Sequence, residues 1–187
     1  MSIRAFLFDL DGTLADTAIA NSKAYAAALA EVGVHVGVMQ FTQIASGRSW
    51  RQFLPPLLEA AGVKAEPAAV AERKNFHYAA MIQDVKINKP LIMLLNTCRP
   101  QIKTALVTTA SGVNVRAIMD CHGLRSLFDI VVTGDEVVRH KPDPEAYLVA
   151  AERLNLSPVE CLAFEDSEIG VASAHAAGIP VVRVIFP

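Results

Sequence analysis

Apolar residues along the chain come in short runs separated by longer mixed stretches. Residues 3–8, Ile-Arg-Ala-Phe-Leu-Phe, form one such run, which ends abruptly at Asp9. Its length, with Gly12 just beyond, predicts a buried strand rather than a helix. Similar runs at Lys103–Val107, Phe128–Thr133, Cys161–Glu165 and Pro180–Ile185 predict four more strands. Helical stretches separate them at Val113–His122, Pro144–Leu154 and Ile169–Ala177, with Gly123 and Gly178 at the expected stops and Ser111 or Asp143 as candidate caps. Strands alternating with helices of about ten residues describe βαβ units. The back half therefore predicts an α/β fold with a doubly wound, Rossmann-like parallel sheet.

The segment between the first two strands follows another pattern. From Thr17 to Asn88 the sequence predicts helices at Asn21–Val32, Ser49–Ala61 and Ala68–Val85 and offers no convincing strand, with breaks at Gly33, Gly37, Gly47, the Pro55-Pro56 pair and Pro67. A βαβ crossover needs only about 12 residues, and this one has about seventy. The expected organisation is an α/β core of residues 1–16 and 89–187, with residues 17–88 inserted as a helical cap after the first strand.

Composition narrows the function classes. The 187 residues carry 17 Lys+Arg against 19 Asp+Glu, a formal charge of −2. Hydrophobic residues at 52% and charged ones at 19% exclude a disordered chain. A near-neutral balance with 6% aromatics leaves no electrostatic or stacking footprint for nucleic acid and no basic surface for an anionic membrane. Asp9 and Asp11 interrupt the first apolar run too early for a signal peptide, and no apolar stretch approaches the roughly 18 residues of a membrane span. Cys98, Cys121 and Cys161 are odd in number and widely spaced, which suits packing in a reducing cytosol better than a disulfide framework or a zinc ribbon. A cytoplasmic location is the expectation. Oligomeric state has no signature in the sequence.

In an open parallel sheet, ligands bind beyond the carboxyl ends of the strands. The residues there are Asp9 and Asp11 in Asp9-Leu10-Asp11-Gly12-Thr13, then Thr108, Lys141 before Pro142, and Glu165-Asp166. Taken singly, each has a bland reading: a turn, a strand end, a loop lysine, a helix cap. Together they provide acids, a hydroxyl and a lysine at one rim, a site for Mg²⁺ and phosphate. An ionised aspartate can attack phosphorus and form an aspartyl-phosphate. A second aspartate two residues later can protonate the leaving oxygen and then activate water. Crowded carboxylates require a cation, a role that Mg²⁺ fills with carboxylates, waters and substrate oxygens. Lys141 and Thr108 supply phosphoryl-binding donors, and Gly12 lets the backbone turn closely around the transferring group.

At these residues the chain resembles the haloacid dehalogenase superfamily of Mg²⁺-dependent phosphotransferases. FDLDGTLAD resembles its first motif, ALVTTAS its second, HKPDPEAY its third, and FEDSEIGVASAHAAG its fourth with the trailing helix. The resemblance implies that Asp9 is the nucleophile and Asp11 the general acid/base. It implies phosphate binding by Gly12, Thr108, Thr109 and Lys141. It places Mg²⁺ on Asp9, Asp11 (through its backbone carbonyl) and Asp166, with Glu165 as an outer or direct ligand. The acid at Asp11 points to phosphate esters rather than to the dehalogenase and phosphonate-cleaving branches. The insertion resembles the family's smaller cap, which implies a small phosphorylated metabolite as substrate.

Phosphoglucomutase-like members are similar through FEDS, but they carry a histidine in the first cap helix where this chain has Asn21. That histidine belongs to mutase gating, so Asn21 favours a phosphatase, with a sugar-phosphate mutase as the alternative. A phospho-receiver module is a more remote alternative, because its acceptor follows the third strand and it has no cap. In the cap, the segment from Ser46 to Trp50 is the candidate substrate-facing turn. There Arg48 either meets a second polar or anionic group of the substrate or stays solvated beside a packing tryptophan. The five histidines show no metal-ligand spacing.

Overall fold

The protein was analysed as a computed structural model that describes residues 2–45, 48–99 and 101–187. The first apolar run forms β1 (Ala5–Phe8), whose neighbours are distant in sequence. β4 (Lys103–Val107) lies on one side of it and β6 (Cys161–Glu165) on the other. β5 (Ile130–Val132) and β7 (Val181–Arg183) complete a parallel sheet of order β5-β4-β1-β6-β7.

Side-chain alternation along these strands feeds two cores. Leu7, Ala105, Val107 and Ala163 face one side, where α7 (Glu145–Arg153) and α8 (Glu168–Ala176) cover them through Tyr147, Ala150 and Ala174. Phe8, Leu106 and Phe164 face the other side, under α5 (Lys89–Cys98) and α6 (Gly112–Cys121), which contribute Leu95, Val115 and Ile118. Phe8 stacks on Phe164 with ring centroids 4.5 Å apart. Each such large side chain, removed from water, stabilises the fold by roughly 1.5–3 kcal/mol. The sheet is therefore doubly wound, as the pattern predicts.

Between β1 and β4 the chain crosses a two-residue antiparallel ladder twice, at β2 (Ala15–Asp16) and β3 (Lys86–Ile87). The sequence offers no strand here, because two residues show no periodicity and the pairing is made between distant segments. Inside this clasp lie α1 (Ala18–Ala30), α2 (Val38–Ala45), α3 (Trp50–Ala60) and α4 (Pro67–Ala79). They share a third core around Tyr25, Leu29, Phe41, Phe53, Leu54 and Val70, in which Tyr25 stacks on Phe41 at 4.9 Å.

Several helices differ from the sequence reading. α2 and α5 were not anticipated, and the third predicted cap helix, Ala68–Val85, ends its α-helical part at Ala79 before a 3-10 turn at Ile82–Asp84. Pro55 and Pro56, read as a break, lie inside α3. An interior proline normally costs a helix about 3 kcal/mol. Here both rings are exposed, so water can reach the freed carbonyls, while Phe53, Leu54 and Leu58 bury the other face. Asn88 caps α5, its Oδ1 accepting from the Leu91 N–H at 3.3 Å, and its Nδ2 donates to the Thr13 carbonyl at 3.0 Å. That side chain thus ties the end of the insertion to the turn after β1. Of the cysteines expected to pack, Cys161 is buried and Cys121 is exposed. Among the described residues no helix is long and apolar enough to cross a membrane.

Candidate active site

Strand register brings the acids together. Phe8 pairs with Phe164 and with Leu106, so Asp9 emerges beside Glu165 on one side and beside Val107 on the other. Asp9 is 7% exposed, and burial, followed by the Glu165 charge, pushes its carboxyl well above the usual range, against the opposing pull of Lys141. Burial and Glu165 likewise raise Asp166.

Lys141 is the buried counter-charge. Its ammonium donates to Asp9 Oδ1 at 2.8 Å, to Glu165 Oε1 at 2.5 Å and to the Val107 carbonyl at 3.0 Å. Three protons meet three acceptors, which fixes the head group completely. Burial works against its charge, but Asp9 and the neighbouring acid hold its pKa well above the ordinary lysine value. Tyr147, fully buried on α7, donates to the same Glu165 oxygen at 2.6 Å and places its ring 5.0 Å from the ammonium. Glu165 Oε2 is buried and has no partner among the described residues.

Asp11 is held by hydroxyls. Thr17 donates to its Oδ1, and Thr108 donates to its Oδ2 at 3.3 Å. Thr108 also accepts the Ala110 N–H at 3.0 Å, so its oxygen is engaged with Asp11 and the backbone, and Thr109 is the member of the pair that lines the cavity. Gly12 has φ +89°, and a Cβ there would fall inside the Asp166 carboxylate. A glycine at this turn therefore permits both the backbone conformation and the approach of Asp166, which also accepts from Thr13 Oγ1 at 3.1 Å.

These groups open onto one cavity of about 190 Å³. Asp9, Asp11, Gly12, Thr109, Lys141 and Asp166 line it from the sheet rim, and Glu165 lies behind them. The four-helix insertion lines the opposite side with Ser22, Tyr25, Phe53 and Tyr78, among others. Arg48 is exposed and lines the cavity beside Trp50, whereas Ser46 and Gly47 of that candidate turn lie outside the described residues.

Four polar residues at the cavity are not among the binding candidates the sequence offers. Lys74 on α4 is 3% exposed, and Asn75 follows it. Ser111 Oγ is buried without a partner among the described residues, and the Asp135 carboxylate accepts the adjacent Gly112 N–H at 2.7 Å. Asn21 Oδ1, in the cavity wall, is another buried atom without a partner among the described residues. Lys74 could have been found as the lone cation on the apolar face of α4, the one signal these positions leave in the sequence.

Oxygens of Asp9, Glu165 and Asp166 lie within 4.8 Å of one another. Three acids at this spacing, two with raised pKa values, and an orphaned buried carboxylate oxygen fit a hard divalent cation with oxygen ligands.

A five-stranded parallel sheet with acids at its carboxyl rim and a helical insertion over them defines a class of hydrolase. The chain belongs to the haloacid dehalogenase-like hydrolase family, whose model matches residues 3–178. It is 30% identical over 178 residues to fructose-1-phosphate phosphatase YqaB of Escherichia coli, across 95% of this chain and 94% of that protein. The crystal structure of CbbY from Rhodobacter sphaeroides in complex with phosphate superposes with a TM-score of 0.88 at 26% identity, covering 98% of this chain and 88% of that one. β-Phosphoglucomutase from Clostridium difficile is also similar, with a TM-score of 0.85, 28% identity, and coverage of 97% and 84%.

Proposed function

We propose that the chain is a Mg²⁺-dependent phosphatase that hydrolyses a small phosphorylated sugar through an aspartyl-phosphate on Asp9. The observation that carries this reading is the convergence of Asp9, Asp11, Lys141 and Asp166, from distant parts of the chain, on one cavity. Lys141 holds Asp9 Oδ1, and among the described residues Oδ2 accepts no hydrogen bond, which leaves it as the attacking oxygen. Asp11, oriented by Thr17 and Thr108, protonates the departing sugar oxygen and then takes a proton from the water that opens the aspartyl-phosphate. Thr109 donates to the phosphoryl oxygens, Lys141 lends its positive charge from beside Asp9, and Gly12, whose N–H donates to the Ala15 carbonyl at 2.8 Å, keeps the turn clear for the phosphoryl group. Asp9, Asp166 and Glu165, with the backbone carbonyl of Asp11, are the groups to hold the metal. When bound, it supplies positive charge to the carboxylate cluster and to the transferring phosphoryl group. Residues 17–88 act as the cap that excludes water and recognises the sugar, with Arg48 as one contact. The names of the phosphatase relatives support the substrate class.

Asn21 favours hydrolysis over the mutase alternative. It lines the cavity from α1, and an amide there neither carries nor relays a proton as a histidine does. The test is turnover of a panel of sugar phosphates and an aryl phosphate. The parent should release phosphate with Mg²⁺ and without any added bisphosphate, stop with a chelator, and recover when Mg²⁺ returns. Asp9→Asn should lose at least about 10³-fold in turnover while keeping its fold, and Asp11→Asn should lose most turnover while still binding phosphate. Asp9→Asn activity close to that of the parent overturns the assignment.

A further inference from the structure

Glu165 is gripped at one oxygen and open at the other. Its Oε1 accepts from Lys141 at 2.5 Å and from the Tyr147 hydroxyl at 2.6 Å, which engages both lone pairs of that oxygen. Its Oε2 accepts from nothing among the described residues. Lys141 also serves Asp9 and the Val107 carbonyl, whereas Glu165 Oε1 is the one hydrogen-bond partner of the Tyr147 hydroxyl among the described residues. A phenol keeps its proton at neutral pH, so Tyr147 donates in this bond. A phenylalanine would fill the same place on α7 without carrying a polar atom into the core. The ring is fully buried in the apolar cluster under α7 and α8, which fixes where the hydroxyl points. Behind the carboxylate the α8 backbone closes in at Gly170, where a Cβ would overlap both oxygens. Presenting both oxygens to an ion would therefore strip Oε1 of at least one donor.

Carboxylate mode separates the two common hard divalent cations. Mg²⁺ demands a near-octahedral shell and takes one oxygen from a carboxylate, whereas the larger Ca²⁺ takes about six to eight oxygens and accepts both oxygens of one carboxylate. We propose that Tyr147 is a positioning residue that sets the cation preference of the site. By holding Oε1, it limits Glu165 to one oxygen for the ion and so favours Mg²⁺ over Ca²⁺. The proposal rests on reading Asp9, Glu165 and Asp166 as the metal ligands. Tyr147→Phe frees a lone pair of Oε1, lets Glu165 offer both oxygens, and enlarges the shell in the direction that Ca²⁺ prefers. Hydrogen-bond partners of metal ligands change metal affinity by about 10–100-fold.

The test titrates the full-length protein with Mg²⁺ and, separately, with Ca²⁺ by calorimetry in the absence of substrate. The parent should bind Mg²⁺ more tightly than Ca²⁺, and Tyr147→Phe should narrow that ratio about tenfold. In aryl phosphate turnover with Mg²⁺, Ca²⁺ should inhibit the variant at about a tenfold lower concentration than the parent. A hydroxyl that served packing alone would change the melting temperature and leave the ratio where it is. A parent that binds Ca²⁺ more tightly than Mg²⁺ overturns the proposal, and that measurement requires no variant. A folded variant whose ratio stays within roughly twofold of the parent's overturns it as well. Binding of both cations with an unmoved ratio removes the role of Tyr147 alone, whereas binding of neither removes the metal reading of the rim together with it.

Discussion

The two walls of the cavity solve opposite problems. On the sheet rim, charged groups constrain one another: Lys141 satisfies two carboxylates and a carbonyl, and Glu165 Oε1 receives both Lys141 and Tyr147. On the helical wall, polar groups are more sparsely bonded. Ser22 and Thr42 bond each other at 2.7 Å, Asn21 Oδ1 has no partner among the described residues, and Lys74 rests on aromatic faces. The bonds around Lys141 hold the rim's geometry, while Asp9 Oδ2 and Glu165 Oε2, which accept no hydrogen bond among the described residues, stay open. A wall of unsatisfied polar groups is built to be completed by a ligand, and its residues can change without disturbing the chemistry opposite.

Two buried lysines give the sharpest way to break this comparison. Lys141→Met leaves Asp9 and Glu165 buried without their cation and should destabilise the fold by about 3–5 kcal/mol in urea unfolding without metal. Lys74→Met removes a buried charge that has no carboxylate partner among the described residues and keeps its volume, so stability should hold or rise by about 1 kcal/mol. Equal losses in the two variants would erase the distinction between the walls.

A smaller effect is expected at Gly170 on α8. A Cβ there would overlap the Glu165 carboxylate. Alanine in a helix is normally better than glycine by about 1 kcal/mol. Gly170→Ala should nonetheless destabilise by about 1–3 kcal/mol, and it should weaken Mg²⁺ activation by displacing Glu165. A stabilised variant with unchanged metal dependence would show that Glu165 is free to move.

The smallest effect lies outside the cavity. Glu31 accepts both Arg73 contacts at 2.7 Å and His77 at 2.7 Å, and these hydrogen bonds, Arg73 first, lower its carboxyl from 4.5 to about 2. A carboxyl lowered on folding stabilises above its unfolded pKa, and that contribution fades as pH falls from about 4.5 toward 2. Because the cluster is exposed, Glu31→Gln should shift the melting temperature only slightly at pH 7 and not at all near pH 2. A large shift at pH 7 would make this surface tie, rather than the shared helical core, the main link between α1 and α4.

Legibility in the sequence tracks how local each cause is. The five strands were readable because each is a short apolar run closed by a polar or turn residue. The acids at their ends were readable because Asp9, Asp11 and Glu165-Asp166 fall immediately after such runs. α2 and the β2–β3 clasp were not, since eight residues and two residues give too little periodicity against their surroundings. Pro55-Pro56 misled because the rule against interior prolines is strong, and only the exposure of that face of α3 shows why the helix continues. Ser111 was legible as a cap position, and it holds that position, but the Asp135 carboxylate at the Gly112 N–H was not, because it arrives from a different strand end.

Residue order alone specified the inventory: a parallel α/β sheet, a long helical insertion, and acids, hydroxyls and a lysine in strand-end positions. These follow from hydrophobic periodicity and backbone stereochemistry, which act over a few residues. Tertiary structure alone decided which of those groups share a proton or an ion. Strand register placed Asp9 beside Glu165, and Lys141 reached between them from another loop. It also decided that Lys74 lies buried against the rings of Tyr25 and Tyr78. Charge interactions and desolvation act through space, so they have no counterpart in the order of residues along the chain.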